Sequence, residues 1–145
     1  MINVQIINEA DENVTINQLA IESCCRIILT DKNHQNGEIT IIFTGDEELR
    51  KLKKKYFNLD VYTDVISFNL EDENSDIEGE IYISWDRAED NAKKYGENFQ
   101  QELKRLVIHG VLHLTGEEDE NTESKKKMNE LENIYLNKIK DSIIN

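Results

Sequence analysis

The stretch Gln101–Glu120, QELKRLVIHGVLHLTGEEDE, constrains this chain more than any other. Leu103, Leu106, Val107, Ile108, Val111, Leu112 and Leu114 leave a helix here almost no polar side, so the helix is expected to be buried rather than solvated. Inside it sit His109 and His113. A spacing of four puts them on one helix face, one turn apart. The chain has only three histidines, and buried imidazoles need polar partners. Gly116 follows and permits the backbone conformations that end a helix. Asp119 comes next on the returning chain. The pattern H-x-x-x-H-x-x-G-x-x-D therefore aims two imidazoles and a carboxylate at one point. Such a set leaves a coordination position for water, as in catalytic zinc sites, and overlaps the facial triad of non-haem iron. Asp119 lies among Glu117, Glu118 and Glu120; spacing selects Asp119, with its glutamate neighbours as the alternatives.

The glycine and the carboxylate arrive at the spacing of the extended zincin signature, H-E-x-x-H-x-x-G-x-x-H. Gly110 stands where that signature has its glutamate general base, which argues against a peptidase. HGVLHLTGEED resembles the H-G-x-L-H-L-x-G-x-x-H signature of the YbeY family of metal-dependent endoribonucleases, bacterial factors of ribosomal RNA maturation and ribosome quality control. Two other stretches agree in sequence and order. Thr63–Phe68, TDVISF, resembles the family's T-D-V-L-S-F strand, and Gly79–Ser84, GEIYIS, resembles its G-D-I-x-I strand.

The resemblance covers Leu49 to Asp119 and implies a single domain over residues 1–145. It implies one zinc ion, or another divalent metal, held by His109, His113 and Asp119, with metal-activated water attacking a phosphodiester. The implied partner is single-stranded or ribosomal RNA, with ribosomal proteins as further candidates. Glu80 falls on the acidic position of the G-D-I motif, where a catalytic role in orienting water or a ligand is expected; the alternative is a half-exposed strand carboxylate. Asp64, on the T-D-V position, reads as a turn or strand-capping residue. Two departures stand out. The family more often has histidine as its third ligand, and a carboxylate there makes the site more anionic and shifts its preference toward harder ions. The family also tends to have an arginine after the tyrosine that precedes the T-D-V strand, whereas here Tyr56 is followed by Phe57. The cation that contacts phosphate must then come from elsewhere.

Net charge is −13, and this is the main argument against a nucleic-acid substrate, because phosphate binding favours a basic surface. Distribution matters more than the sum. Arg50–Lys55, RKLKKK, places five cations in six residues. The run is either a solvated helix face or a local phosphate-binding patch, with Lys54 and Lys55 the expected substrate contacts if their helix flanks the metal. The acidic remainder then limits non-specific RNA binding. With 145 residues, 38% hydrophobic and 32% charged, the chain reads as one soluble globular domain. No apolar run is long enough for a bilayer and no signal-peptide pattern is visible, so the expected location is the cytoplasm, with no membrane partner. Cys24 and Cys25 are neighbours in a helix and point to different faces, so no disulfide is expected and one of them is expected in the core.

Val4–Ile7 and Val65–Asn69 read as strands, and ITIIFT, Ile39–Thr44, as a central strand buried on both faces. Ile81–Ser84 reads as the neighbour of Val65–Asn69, with Ile81 and Ile83 on one face and Glu80, Tyr82 and Ser84 on the other. The acidic Leu70–Glu78 between them reads as a mobile surface loop. Apolar spacing predicts a helix over Thr15–Leu29 from Ile16, Leu19, Ala20, Ile27 and Ile28. A second helix is expected after Asp46 as its cap, with Leu49, Leu52 and Tyr56 on one face. A third runs from Ser84 or Asp86 to Tyr95 and stops at Gly96. The metal helix starts near Phe99. The last starts near Asn121 or Thr122 and packs through Met128, Leu131, Ile134 or Tyr135, Leu136 or Ile139, and Ile143. His34 reads as a surface loop residue. The fold class is α+β: a small mixed sheet of about four strands with helices packed on it, carrying a zincin-like metal helix. Two functional rivals to the endoribonuclease remain: a ribosome assembly factor whose metal is structural, and a zincin-like hydrolase of another substrate.

Overall fold

The computed structural model describes residues 1–70 and 76–144. The described chain runs β1 (Ile2–Asn8), α1 (Gln18–Asp31), β2 (Gly37–Thr44), α2 (Asp46–Phe57), β3 (Val65–Asn69), β4 (Ile77–Ser84), α3 (Trp85–Tyr95), α4 (Phe99–Leu114) and α5 (Thr122–Lys138). The strands form one mixed sheet of order β1-β2-β4-β3. β1, β2 and β4 are parallel, and β3 pairs antiparallel with β4 at the edge. This is the expected α+β layout. Among the described residues no helix is long and apolar enough to cross a membrane.

Strand alternation gives the sheet two different faces. Ile39, Ile41, Phe43, Ile81 and Ile83 point into the main core, which α1, α4 and α5 complete. α4 docks on β3 and β4, and α1 and α5 pack against α4. Ile42 pairs with Tyr82, which pairs with Ile66; these side chains share the opposite face, where α2 meets β3 and β4. β2 is thus buried on both faces through its second half, while Glu38 is exposed.

Several helix ends carry the caps that the sequence offers. Ser84 accepts from Arg87 N to open α3, and Gly96, at φ 69°, closes it. Asn98 caps α4. Asn121 and Ser124 form a reciprocal capping box at the start of α5, which satisfies two otherwise orphaned donors.

Other expectations are corrected. Asp46 is the first residue of α2 and not its cap; its carboxylate instead accepts from Ser84 Oγ at 2.7 Å and from Arg87 Nε at 3.1 Å. β4 begins at Ile77, because its pairing with β2 starts at Gly37. Ile77 and Glu78 therefore leave the expected acidic loop, and residues 71–75 lie outside the described residues. Leu19 is 74% exposed; α1 is buried through Ala20, Ile21, Cys24, Cys25, Ile28 and Leu29, a stripe one position out of phase with part of the expected one. Both cysteines are buried and free. On α5 it is Tyr135 that packs inward, while Ile134 stays exposed.

Candidate metal centre

α4 enters the core so tightly that two of its contacts accept no extra atom. A Cβ on Gly110 would lie 2.5 Å from Ile81 Cγ2, and a Cβ on Gly79 of β4 would lie 2.6 Å from Leu114 Cδ2. Gly110 faces the sheet, so the position that holds the zincin glutamate points away from any cleft here. The face of α4 that turns outward carries His109 and His113. After Leu114 the helix ends, and Gly116 takes φ 99°, a conformation that suits a residue without Cβ. The chain folds back and delivers Asp119 to the imidazoles. His109 Nε2 lies 3.4 Å from Asp119 Oδ2, and His113 Nε2 lies 3.6 Å from Oδ1.

The outer nitrogens of both rings are engaged. His113 Nδ1 is 2.9 Å from the carbonyl oxygen of Glu117. A carbonyl only accepts, so Nδ1 carries the proton and Nε2 has the lone pair. His109 Nδ1 is 2.8 Å from Glu132 Oε2, and a carboxylate at neutral pH imposes the same tautomer on that ring. The two Nε2 atoms then face each other at 2.9 Å with lone pairs converging and a carboxylate beside them. The donor set of two imidazoles and one carboxylate is the one borderline divalent ions prefer. Among the described residues, His109, His113 and Asp119 form a group of potential ligand atoms within 4.8 Å of one another. Glu117 is not in it, because its carboxylate pairs with Lys32 at 2.6 Å and Lys127 at 3.2 Å. Burial opposes a charge on His109, but Glu132, Asp64 and Asp119 outweigh it and raise the pKa of the ring.

The three side chains open onto a cleft of about 430 Å³ along the free edge of β3, lined also by Lys53, Phe57, Asp64, Ser67, Asn69 and Glu120. The basic helix does border the site, with a correction. Lys53 and Phe57, one turn apart on α2, face the cleft. Lys54 and Lys55 are exposed on other sides of the helix, since each step along it rotates the side chain by about 100°. Glu80 is corrected outright as a catalytic candidate. It pairs with Thr40 and Phe68 on the α2 face of the sheet, whereas α4 and its histidines lie on the face of Gly79 and Ile81. Asp64 lies closer to the chemistry than expected. It accepts from Asn91 Nδ2 at 3.3 Å and lines both the metal cleft and a second cavity of about 440 Å³ behind His109. His34 lies well apart, near the start of β2, and lines a different pocket.

Sequence reasoning missed Glu132 and Arg105. Glu132 is 4% exposed and is held by Arg105 Nη1 at 3.2 Å. A signal was there: Glu132 occupies the middle of the apolar stripe of α5, four residues after Met128 and four before Leu136. A carboxylate in such a place must be paired.

Fold and site together define a small α+β protein with a candidate His-His-Asp metal site in an open cleft. The family model described as Endoribonuclease YbeY matches residues 5–140, and the chain belongs to that family. It is 34% identical over 126 residues to Endoribonuclease YbeY of Chlorobaculum parvum, covering 87% of this chain and 89% of that one. It is 42% identical over 109 residues to Endoribonuclease YbeY of Amoebophilus asiaticus, covering 75% and 74%. Endoribonuclease YbeY of Aquifex aeolicus is 36% identical over 126 residues, covering 85% and 84%. The fold matches the solution structure of TM1509 from Thermotoga maritima with a TM-score of 0.61, 25% sequence identity and 96% coverage of each chain.

Proposed function

We propose that this protein is a metal-dependent endoribonuclease that cleaves single-stranded RNA during ribosomal RNA maturation and ribosome quality control in the cytoplasm. The observation that carries the reading is the pair of imidazole Nε2 atoms, 2.9 Å apart beside Asp119, in an open cleft. Zinc is the ion proposed, on a zincin-like helix without the zincin glutamate. A divalent ion held there supplies an acidified water and a positive charge for a phosphoryl oxygen. His109, His113 and Asp119 hold it. Glu132 and the Glu117 carbonyl keep the two rings in the ligating tautomer. Lys53 offers an ammonium to the RNA phosphate at the cleft wall, where the developing charge needs a cation. Ribosomal proteins are proposed as further partners.

The rival reading, an assembly factor with a structural metal, calls for a closed set of four ligands. Three ligating side chains and an open cleft favour catalysis. The test is elemental analysis of the purified protein paired with cleavage of single-stranded and duplex RNA by apo and reconstituted samples. One zinc-like ion per chain and metal-restored cutting of single strands are expected. Full metal content in a His109→Ala, His113→Ala double variant sinks the site assignment, and a reconstituted protein that cuts no RNA sinks the enzyme.

A further inference from the structure

We propose that the aromatic side chains at the C-terminal end of α2, Phe57 first and Tyr56 beside it, form a platform on which unpaired nucleobases stack as an RNA strand enters the metal cleft. The inference rests on the ribonuclease reading and deepens it. Its ground is an exposed patch that folding does not explain. Tyr56 is 57% exposed, Phe57 46%, Leu59 50%, Val61 45% and Tyr62 49%. So much apolar surface gathered in one segment marks a binding site rather than a random exposure.

The cations around the patch identify the occupant. Lys53 Nζ lies 4.6 Å from the Phe57 ring centroid, Lys55 Nζ 5.2 Å from that of Tyr56, and Arg50 Cζ 5.3 Å from that of Tyr62. Each ring thus has an ammonium or guanidinium beside it, on a chain whose net charge is −13. An apolar patch alone suits a protein partner as well as a base. Rings bracketed by cations suit a polyanion that also carries flat π-faces. Single-stranded nucleic acid is that polymer, whereas a duplex keeps its base faces stacked inside.

Position and rigidity complete the argument. Phe57 and Lys53 line the same cleft as His109, His113 and Asp119. Phe68, on the sheet beneath, stacks with Phe57 at 6.1 Å and 18° between planes and meets Tyr56 edge-on at 5.2 Å. The platform is therefore held in place before any base arrives, which lowers the ordering cost of binding. When a base takes the exposed face of Phe57, the flexible Lys53 side chain is free to swing from the ring to the neighbouring phosphate. The ring then holds a base, the ammonium holds the backbone, and the next phosphate reaches the metal ligands.

The test measures binding of short RNA strands to the zinc-loaded full chain by fluorescence anisotropy, under conditions in which gels show the strand uncut. Phe57→Ala is expected to weaken binding of an intact single strand on the order of tenfold, within the range typical for one lost base stack, without changing the salt slope. Lys53→Ala is expected instead to lower the slope by about one. A strand with abasic riboses should bind parent and Phe57→Ala alike, and Phe57→Trp should restore the loss. Unchanged metal content and thermal stability show that the variants are folded. The proposal is overturned if Phe57→Ala binds the intact strand as the parent does, as for a protein-docking patch, or if the abasic strand loses affinity equally. A parent that binds RNA through Phe57 yet never cuts it defeats the ribonuclease reading alone; a parent that binds no RNA defeats both.

Discussion

Gly110→Ala tests how α4 is seated. The added Cβ would lie 2.5 Å from Ile81 Cγ2, 3.3 Å from Ile81 Cδ1 and 3.3 Å from Ser67 Oγ. Carbon pairs attract at about 3.5–4.0 Å, so the nearest pair must separate by about 1 Å. Ile81 is 0% exposed and β-branched, so its methyl cannot simply rotate away. Overpacking of this kind costs about 1–3 kcal/mol. Replacing a mid-helix glycine with alanine returns about 1 kcal/mol of helix propensity. The clash should win narrowly, leaving a net loss of about 1 kcal/mol and a melting temperature lower by about 3 °C in a chain of this size. Because α4 carries both histidines while Glu132 stays on α5, zinc affinity should fall as well. Urea and thermal unfolding measure the first effect and chelator competition the second. The sharper readout is coupling: Ile81→Ala alone should cost about 2–5 kcal/mol, and at least about 1 kcal/mol less when Gly110 is already alanine. A Gly110→Ala protein more stable than the parent, with no coupling to Ile81, refutes a tight helix–sheet contact.

Asp119→Ala should cut zinc affinity severely, Asp119→His should keep binding, and Glu118→Ala should have little effect; loss with Glu118→Ala and not Asp119→Ala shifts the third ligand by one residue. Glu132→Gln should lower zinc affinity about 10- to 100-fold with the fold intact, measured by competition with a chromophoric chelator; an unchanged affinity removes Glu132 from any role in holding His109. Burial pushes the Cys24 thiol up to about 12 and that of Cys25 well above its usual range, so a thiol reagent should label neither in the native protein and both after unfolding; native labelling contradicts the buried helix face. The pH dependence of stability should differ in sign at two glutamates. The hydrogen bond from Lys32, helped by Lys127, holds the Glu117 carboxyl below its usual range. Its contribution is present at neutral pH and lost as the pH falls through that lowered value, so Glu117→Gln should be less stable than the parent at pH 7, with the gap closing in acid. Burial raises Glu102 against the partial opposition of Arg105, so its ionised form costs stability at neutral pH. Glu102→Gln should be neutral or stabilising there, and any gain should vanish in acid; denaturant midpoints against pH decide both.

The convergence of His109, His113 and Asp119 is legible in the sequence because its geometry is local. Four residues are one helix turn whatever the tertiary fold, and a glycine followed by a carboxylate needs only a short return. Glu80 shows how far local reasoning reaches. Strand alternation alone set Glu80 opposite Ile81 and Ile83, and a helix apolar nearly all round has to cover the isoleucine face. Those two facts together place Glu80 away from the metal side and favour the strand-carboxylate alternative over the catalytic role that the motif resemblance implies. Lys53 is a different case. In RKLKKK every turn of the helix carries a cation, and only the docking of Leu49, buried at 0% exposure, fixes which one faces the cleft. Lys53 lies four residues after Leu49 and four before Phe57, so the phase and its Leu49 anchor are present in the sequence, but not which flank of the helix borders the cleft.

Glu132 comes from 23 residues beyond the histidine it holds, and no local spacing predicts that. Its consequence is an ordering of the whole site. His109 is fixed through α5, and His113 through the backbone of the turn at Glu117. The Glu117 side chain in turn is tied to Lys32, which follows α1, and to Lys127 of α5. Both rings therefore have their outer nitrogens held by protein groups, and the turn carrying Asp119 is anchored on two sides through Glu117. An ion that joins His109, His113 and Asp119 then adds a third tie between α4 and the chain leading into α5. Metal binding should accordingly slow hydrogen exchange in the segment from Thr115 to Ser124 more than in the sheet, since a ligand that binds only the closed form stabilises most what otherwise opens locally. Equal protection across the molecule would mean that the turn opens only when the whole domain unfolds.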